Sequence, residues 1–466
     1  MGAGMADISA RKRIWGWWFF DWASQPYNTL LLTFIFGPYF AKVVTELLTE
    51  SGMSAGEAKA QAQAFWGYGL TVSGICIALL APILGAVADS TGKRMPWIWV
   101  FSVMYVVGSF ALWYTAPAQF DVTRTLIFFG IGLIGMEFAT IFTNALLPSL
   151  GSKEELGKIS GSGWAFGYIG GVLALAIMLL LFQAGGSGKT MAGIAPLFGL
   201  DPATGADTRI VGPLTAVWYV LAMIPFFLWV REMPDPNHEP YKVGKALRDL
   251  GKTIKGLPKH VSLLSYLTSS MFYRDALNGM YTFGGIYAFG VLEWNIMMVG
   301  IFGIVAALTG ALFAWIGGKA DTAFGPKPVI VVCILVLLGT AVFVVGLSRD
   351  AVFGVPVAEG SALPDILFFV AGGLIGAAGG ALQSASRTMV VRQSNPSRMT
   401  EAFGLYALSG KATTFLAPML IAVVSDLSGN QRLGITPIAG LFLIGLILLI
   451  WVKPQGDHSK WSEQSS

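Results

Sequence analysis

The chain has 466 residues, of which 55% are hydrophobic and 12% are charged, and its formal net charge is +4. Soluble proteins carry about 25% charged residues, so this composition excludes an ordinary soluble protein and indicates a chain that crosses a membrane many times. The small net charge argues against nucleic acid as a partner, because a nucleic-acid-binding protein needs a strong excess of lysine and arginine.

Twelve apolar runs of membrane-spanning length follow one another along the chain. They cover residues 14–40, 65–88, 97–116, 125–148, 161–183, 213–230, 262–289, 297–318, 328–347, 366–391, 402–425 and 434–452. We therefore predict an all-α integral membrane protein with twelve transmembrane helices, numbered span 1 to span 12 in this order. Among the connections, we expect a polar helix at 42–64, an irregular segment at 184–212 and a basic surface helix at 243–257.

The distribution of lysine and arginine predicts the orientation of the spans. With the N-terminus inside the cell, the cytoplasmic loops and tails hold twenty of the thirty lysines and arginines, the outer loops hold seven, and three lie within spans. Cytoplasmic loops of membrane proteins carry an excess of these residues. We therefore predict a multi-pass protein of the inner (plasma) membrane with both termini in the cytoplasm.

A charged hairpin joins spans 2 and 3 and returns in the second half of the chain. The first copy reads Gly85-Ala-Val-Ala-Asp89-Ser-Thr-Gly92-Lys93-Arg94. The second copy reads Gly317-Gly-Lys-Ala-Asp321-Thr-Ala-Phe-Gly325-Pro-Lys327, and its leading glycine and its aspartate both lie 232 positions after their counterparts. The hairpin therefore indicates that the chain contains an internal duplication.

A second pair of segments supports the duplication. Span 1 carries Asp21 and Tyr27, and span 7 carries Asp275 and Tyr281 with the same separation and a shift of 254 positions. The additional shift is close to the length of the connection 42–64, which has no counterpart after span 7. We therefore predict two pseudo-symmetric six-helix bundles, 1–230 and 262–466, the second with a short cytoplasmic tail. A cytoplasmic linker at 231–261 contains the basic surface helix.

The chain offers no set of residues typical of an enzyme or of a cofactor site. Its three histidines all fall in the predicted cytoplasmic loop or tail, and Cys76 and Cys333 lie in apolar runs. Gly130-Ile-Gly132-Leu-Ile-Gly135 matches the dinucleotide fingerprint, but it lies within span 4 with no strand before it, so close helix packing explains it better. We predict no enzymatic activity, no cofactor and no metal.

Charged residues lie deep within several predicted spans. Among them are the carboxylates Asp21, Glu137 and Asp275 and the cations Arg387 and Lys411. A charge at such a depth costs roughly 2.5–3.5 kcal/mol on insertion scales, so each one needs a role or a partner. Either opposite charges neutralise one another across the bundle, or some of them face a water-filled cavity. Spans 1 and 7 are equivalent under the repeat, as are spans 4 and 10, and this symmetry favours the cavity.

The twelve spans in two halves, the basic linker and the charged hairpin together resemble the major facilitator superfamily (MFS) over the whole chain. The hairpin departs from the usual pattern at Ser90, where a basic residue is common, and the second copy carries the additional Phe324. Within the superfamily, the chain resembles the branch of autophagy-linked vacuolar amino-acid effluxers and their bacterial relatives. The segments that carry this resemblance are Phe20-Asp21-Trp22-Ala23-Ser24 with Tyr27, Asn144-Ala-Leu-Leu-Pro148, Gly161-Ser-Gly-Trp-Ala-Phe-Gly-Tyr168, Gly284-Gly-Ile-Tyr287 and Ser409-Gly-Lys411.

The resemblance implies a secondary active transporter that moves a small metabolite by alternating access. An amino acid or another carboxylate-bearing solute is the expected substrate by association only. The expected partners are a small-molecule substrate and the lipid bilayer, and we expect a monomer. The alternative is a non-transporting membrane sensor or a lipid-handling protein.

We predict that Arg387 and Lys411 bind the anionic group of the substrate. No carboxylate lies within four residues of either cation, so pairing within one helix cannot neutralise them. The alternative for Arg387 is that its side chain extends to the cytoplasmic headgroups. The remaining predicted substrate-binding residues are Gln383, Asn144, Tyr27 and Tyr281.

We predict that proton coupling uses Glu137, Asp21 or Asp275, because a carboxylate in a low-dielectric cavity takes up a proton more readily than one in water. Glu137 is the first candidate because it lies deeper than Asp21, and Asp21 has the alternative role of holding the bend at Pro26.

The two hairpins are predicted to latch the cytoplasmic side. Asp89 is expected at the start of span 11, near Thr400 and Glu401, because the N-terminus of a helix attracts an anion. Lys93 or Arg94 is expected to face Glu401. The predicted latch residues are Gly85, Asp89, Gly92, Lys93, Arg94, Gly317 and Asp321.

Overall fold

The computed structural model describes residues 8–185, 187–232, 242–294, 296–428 and 430–457, and most of them are helical. The helices of the first half are α1 Ala10–Pro26, α2 Phe36–Glu50, α3 Ala55–Thr91, α4 Met95–Ala111, α5 Val122–Asn144, α6 Leu156–Ile177, α7 Ala206–Arg209 and α8 Val211–Trp229. The remaining helices are α9 Val243–Gly256, α10 Val261–Val291, α11 Ile296–Phe324, α12 Pro326–Val345, α13 Leu363–Gln393, α14 Met399–Ala412, α15 Leu416–Ser428, α16 Gln431–Gly434 and α17 Thr436–Leu448. A small antiparallel hairpin of β1 Ala351–Val352 and β2 Val355–Pro356 lies between α12 and α13.

Eleven helical stretches of the described residues are long and apolar enough to cross a membrane. They match eleven of the twelve predicted spans. The remaining one, span 7, corresponds to α10, which has 31 residues and therefore has the length to cross as well. Helix α10 contains Arg274 and Asp275 together with several serine, threonine and tyrosine residues, and these polar residues lower its hydropathy.

The predicted turns of the two charged hairpins are present. Gly92 ends the first copy with a φ of 66°, and Gly325 ends the second with a φ of 84°. Only glycine adopts these backbone angles without a steric penalty, which explains its place in both copies. Pro96 then lies in the first turn of α4 and Pro326 in the first turn of α12, where the missing N–H of proline leaves no helical hydrogen bond unmade.

The connecting segments differ from one another in how well the sequence predicted them. Helix α9 is present where the basic surface helix was predicted, with Asp249 and Leu250 on its buried face. The described residues of 184–212 form an isolated β-bridge between Ala184 and Thr190, short 3-10 turns and the four-residue α7 before α8 begins, which agrees with the predicted irregular segment. The connection 42–64 is not an isolated helix, because α2 runs to Glu50 and α3 begins at Ala55, so the connection lengthens both helices.

The chain forms two compact units. Unit 1 comprises the described residues of 1–77, 93–143 and 166–234, and unit 2 comprises those of 78–92, 144–165 and 235–466. The boundaries of these units therefore differ from the predicted bundle boundaries at 230 and 262. The end of α3, the end of α5 and the start of α6 belong to unit 2, because they pack closely on helices of the second half.

Aromatic side chains fill the interior of unit 1. Trp22 stacks on Trp218 with ring centroids 5.6 Å apart, and the indole nitrogen of Trp218 donates to the carbonyl of Trp22. Tyr105 stacks on Tyr219 at 3.9 Å. These large side chains hold α1, α4 and α8 together.

Several membrane-spanning helices are irregular, including α6, which continues as a π-helical segment over Met178–Phe182. In unit 1, α1 passes after Pro26 into a π-helical segment, Tyr27–Phe34, before α2 begins. In unit 2, residues 413–415 interrupt span 11 and separate α14 from α15. Such interruptions leave backbone groups without helical partners and are frequent at functional sites of membrane transporters.

Candidate functional site

The first hairpin places a carboxylate on the start of another helix. Asp89, at the end of α3, is 2% exposed, and its two oxygens accept the backbone N–H groups of Thr400 at 3.3 Å and of Glu401 at 2.8 Å. This is the contact that the sequence predicted. Close packing supports it, because a Cβ on Gly85 would lie 2.6 Å from the carbonyl oxygen of Thr400. The first turn of α14 is thus held against the end of α3.

The second hairpin makes an equivalent arrangement within unit 2. Asp321, near the end of α11, is fully buried against the start of α6, where a Cβ on Gly157 would lie 2.7 Å from its carboxyl carbon. The backbone N–H of Lys158 donates to the hydroxyl of Thr322 at 2.9 Å. The hydroxyl of Thr388 donates to Asp321 itself. Each copy of the hairpin therefore brings an aspartate to the N-terminal turn of a helix from the other half of the sequence.

Arg94, another predicted latch residue, contacts Glu232. In unit 1, Glu232 accepts the backbone N–H of Arg94 at 2.9 and 2.8 Å and pairs with its guanidinium at 3.5 Å. Glu232 therefore caps the start of α4. Glu401 has Arg398 as a neighbouring cation at 3.9 Å.

Arg398 also connects the latch to the linker helix. Its guanidinium lies 3.5 Å from the carboxylate of Asp249 and donates to the hydroxyl of Thr253, both on α9. Because Arg398 directly precedes α14, the linker helix is tied to the same helix start that Asp89 caps. A cleft of about 600 Å³ lies between α9 and α14, lined by charged and apolar residues of both. The sequence did not predict this connection, because the two segments lie far apart along the chain.

One face of α13 carries the predicted substrate-binding cation. Gly379, Gln383 and Arg387 follow at intervals of four residues, which places them on one side of the helix. Arg387 is 4% exposed, and its guanidinium lies 5.2 Å from the ring centroid of Trp164 on α6. Burial of this depth excludes the alternative in which Arg387 extends to the headgroups.

The same face of α13 meets Tyr281 of α10. The hydroxyl of Tyr281 lies so close to Gly379 that a Cβ there would require the tyrosine ring to move. Gln383 is half-buried and lies between this tyrosine contact and Arg387 along the helix. The structure thus brings Tyr281, Gln383, Arg387 and Trp164 to one helix face within unit 2. Trp164 was not among the predicted site residues.

Lys411 lies at the interruption of span 11. It is half-buried in the last turn of α14, where a cation interacts favourably with the helix dipole. Arg274 approaches the same turn, because a Cβ on Gly410 would collide with its guanidinium. Asp275 lies at the other end of the interruption and accepts the N–H of Ala417 at 2.8 Å. Asn144, another residue of unit 2, is half-buried at the end of α5.

The predicted residues of unit 1 occupy different environments. Glu137 is half-buried on α5, and Asp21 is 8% exposed on α1, where a Cβ on Gly167 would lie 3.2 Å from the Cβ of Asp21. Tyr27 is fully buried, and its hydroxyl donates to the carbonyl of Phe129 at 2.6 Å. Tyr27 therefore belongs to the packed interior of unit 1 in this structure, and its place in the substrate site stays a prediction.

Comparison with known proteins agrees with this architecture. Residues 9–459 match the model of a family described as "Vacuole effluxer Atg22 like". The uncharacterized MFS-type transporter YxiO of Bacillus subtilis (strain 168) is 26% identical over 455 residues, which cover 97% of this chain and 96% of that protein. Autophagy-related protein 22 of Coccidioides immitis (strain RS) is 25% identical over 310 residues, which cover 63% of this chain and 47% of that protein. The match therefore spans about half the length of this fungal relative.

Solved structures of membrane transporters share the fold. The human organic anion transporter MFSD10 (TETRAN) has a TM-score of 0.70 at 16% identity, and the match covers 95% of this chain and 100% of that one. The MFS proton:xylose symporter XylE has a TM-score of 0.65 at 11% identity, covering 97% of this chain and 98% of that one. These likenesses confirm the predicted all-α MFS fold.

The family match confirms the resemblance on which the sequence interpretation relied. The relatives in this match are transporters, so the chain is a membrane transporter and not an enzyme. Since the family model covers nearly the whole chain, the protein belongs to the Vacuole effluxer Atg22-like family of MFS transporters.

Proposed function

We propose that the protein is a secondary active transporter that moves a small carboxylate-bearing metabolite, such as an amino acid, by alternating access. The observation that carries this proposal is the pair of equivalent contacts in which Asp89 faces the start of α14 and Asp321 faces the start of α6. Both contacts join helix ends from different halves of the sequence, and both are non-covalent. They can therefore form and break together as a latch on the predicted cytoplasmic side.

The chemistry of the latch suits a reversible contact. A carboxylate at a helix N-terminus is stabilised by the helix dipole and by hydrogen bonds from backbone N–H groups, together by about 0.3–2 kcal/mol. Asp89 makes such a contact, whereas Asp321 accepts the hydroxyl of Thr388 and packs on Gly157. Contacts of this kind can favour one arrangement and still be broken when a solute binds preferentially to the other.

The face of α13 supports the proposed class of substrate. Arg387 offers a planar pair of donors that fits a carboxylate, and Gln383 and Tyr281 add neutral hydrogen-bonding groups on the same face. Lys411 supplies a second cation at the interruption of span 11, and Asn144 supplies an amide. We keep these five residues as the proposed substrate site.

We propose that transport is coupled to protons through carboxylates of the spans. Glu137 is the first candidate and Asp21 the second, because both lie within helices and neither is fully exposed. Asp275 is the third candidate.

We propose the inner (plasma) membrane as the location, with both termini in the cytoplasm and the protein acting as a monomer. The excess of lysine and arginine in the predicted cytoplasmic segments supports this orientation. Helix α9 supports it as well, because its exposed Val243, Leu247 and Ile254 are accompanied by lysines that suit a membrane surface with anionic lipids.

Uptake into proteoliposomes tests the proposal. The purified protein is reconstituted and offered a panel of labelled amino acids, other carboxylates and neutral solutes, with and without a pH gradient. We expect saturable uptake of at least one carboxylate-bearing solute, and we expect an inward proton gradient to increase it. Protein-free liposomes and the double variant Arg387→Ala/Lys411→Ala are the controls.

Each contrary result points to a different error. Uptake of neutral solutes alone would contradict the proposed substrate class. Binding of a solute without any uptake would favour the alternative of a non-transporting membrane sensor.

A further inference from the structure

Two adjacent residues of α10 hold the two segments of the interrupted span 11. The guanidinium of Arg274 donates to the carbonyl of Tyr406 in α14 at 2.9 Å and lies 4.1 Å from the centroid of its ring. The carboxyl group of Asp275 accepts the N–H of Ala417, in the first turn of α15, at 2.8 Å. Helix α10 therefore holds one segment with a cation and the other with an acidic group.

Only one of the two carboxyl oxygens of Asp275 is used in this way. The side chain is 2% exposed, and its Oδ1 atom has no hydrogen-bond partner among the described residues. Asp275 also takes part in none of the ion pairs found within the described part of the chain. A buried carboxylate with one backbone hydrogen bond and a desolvated second oxygen is unfavourable, and a proton on that oxygen removes the charge.

Within the described residues, none of the charged groups on the elements that pack on α10 forms an ion pair with Asp275. Helix α17, which packs along α10, carries no charged residue. The charged or histidine residues of the other elements packed on α10 are Lys259, His260, Lys319, Asp321, Lys327, Asp365, Arg387, Arg392, Glu401, Lys411, Asp426 and Arg432. Several already have other partners: Glu401 pairs with Arg398, Asp365 with Arg349, and Arg432 donates to the carbonyl of Val345.

We propose that Asp275 is a proton-binding site of the transporter and that its protonation loosens the junction between α14 and α15. This inference rests on the proposed transport function and names a place where the coupling proton binds. A hydronium ion of the surrounding water gives up the proton, an O–H bond forms at Oδ1, and the proton returns to water when Asp275 ionises again. The neutral acid accepts the Ala417 N–H more weakly than the carboxylate does, so proton uptake weakens the hold of α10 on α15.

Infrared spectroscopy of the purified protein in lipid nanodiscs tests the proton site without any solute. At mildly acidic pH we expect the carbonyl band of protonated carboxylic acids to lose intensity in Asp275→Asn. The matched control is Asp365→Asn, because Asp365 is held in an ion pair with Arg349 at 2.6 Å. That control should leave the band unchanged. A band of equal intensity in Asp275→Asn and in the parent would overturn the proposal.

Hydrogen exchange tests the effect on the junction. After correction for the intrinsic pH dependence of exchange, we expect protection of residues 416–419 to rise with pH in the parent. The asparagine of Asp275→Asn is a neutral acceptor at every pH, so this rise should be lost there and should return in Asp275→Glu. Equal responses in the parent and in Asp275→Asn would show that the proton does not control the junction.

Both measurements are independent of transport. A parent protein that passes them and yet moves no solute would contradict the proposed function and leave the proton site intact. A parent that transports a solute with an unchanged acid band in Asp275→Asn would contradict the proton site alone.

Discussion

The carboxylate of Asp89 accepts the backbone N–H of Glu401 at 2.8 Å, although 312 positions of sequence separate the two residues. The contact holds the end of α3 against the start of α14. It requires both a negative charge at residue 89 and a close approach of the two helices. A substitution at residue 89 can remove the charge, and a larger side chain where the two helices cross can prevent the close approach.

Replacing Asp89 by asparagine should release the latch while the protein stays folded. Asparagine keeps the shape and one acceptor but loses the charge that interacts with the N-terminus of α14. A loss of about 1–2 kcal/mol would change the ratio of latched to unlatched protein by roughly five- to thirtyfold. The reporter is a single cysteine at Ala314, which is fully buried here, in a Cys76→Ala/Cys333→Ala background. Its alkylation by a membrane-impermeant maleimide should be faster in Asp89→Asn.

Asp121→Asn is the matched control, because Asp121 caps the first turn of α5 at the opposite ends of the helices. The reporter cysteine should be alkylated as slowly in Asp121→Asn as in the parent. Equal alkylation rates in Asp89→Asn and in the parent would contradict a latch at Asp89.

Replacing Gly404 by valine should break the same contact, because the larger side chain pushes α14 away from α3. A Cβ on Gly404 would lie 2.5 Å from the carbonyl oxygen of Ala81, so α14 must move away from α3. Overpacking of this kind costs typically about 1–3 kcal/mol. The control is Gly440→Val, because a Cβ at Gly440 meets no atom within 4 Å. We expect faster alkylation of the Ala314 cysteine in the first variant only; the same rate in both would show that this crossing does not hold the latch.

Replacing Arg387 by lysine should weaken the apparent affinity for the transported carboxylate. Lysine keeps the charge but lacks the planar pair of donors, so a bidentate contact is lost. We expect the KM for uptake to rise at least about tenfold, equivalent to about 1.4 kcal/mol, with a normal level of protein in the membrane. Arg124→Lys, in the exposed first turn of α5, is the control and should have no effect on KM. An unaltered KM in Arg387→Lys would place the anion elsewhere.

Replacing Glu137 by glutamine should separate transport from its proton dependence. Glutamine cannot release a proton, so the driving effect of a pH gradient should be lost, while exchange of labelled for unlabelled solute continues. Both are measured in the same proteoliposomes. If the variant shows the pH dependence of the parent, Glu137 does not carry the coupling proton.

The features that could be predicted from the sequence were those that a short segment encodes. Apolar runs indicated the spans, because a helix in lipid must satisfy its own backbone and expose apolar side chains. The turn residues Gly92 and Gly325 indicated the hairpins, and Lys and Leu spacing indicated α9. The contact of Asp89 with Thr400 and Glu401 followed from the attraction between an anion and a helix start.

The features that sequence reasoning missed depend on contacts between distant segments. The interruption at 413–415 lies where Pro418 cannot donate a helical hydrogen bond to the carbonyl of Thr414, so the break itself has a local signal in the sequence. What stabilises the break is Asp275 of another helix, which no local pattern reveals. The burial of Tyr27 also depends on a distant segment, because the carbonyl that accepts its hydroxyl belongs to Phe129, 102 positions away. Trp164 belongs to a segment that carries the family resemblance, but its position beside Arg387 is visible only in the structure.

The two copies of the hairpin bind different kinds of partner, and this difference bears on how the protein can vary among relatives. Asp89 binds backbone N–H groups, so the side chains at 400 and 401 can drift without loss of the contact, provided that neither becomes proline. Asp321 accepts the hydroxyl of Thr388, and a change of that residue to an apolar one such as alanine or valine removes the donor. Selection on this latch should therefore act on a single residue in the first copy and on a co-varying pair in the second.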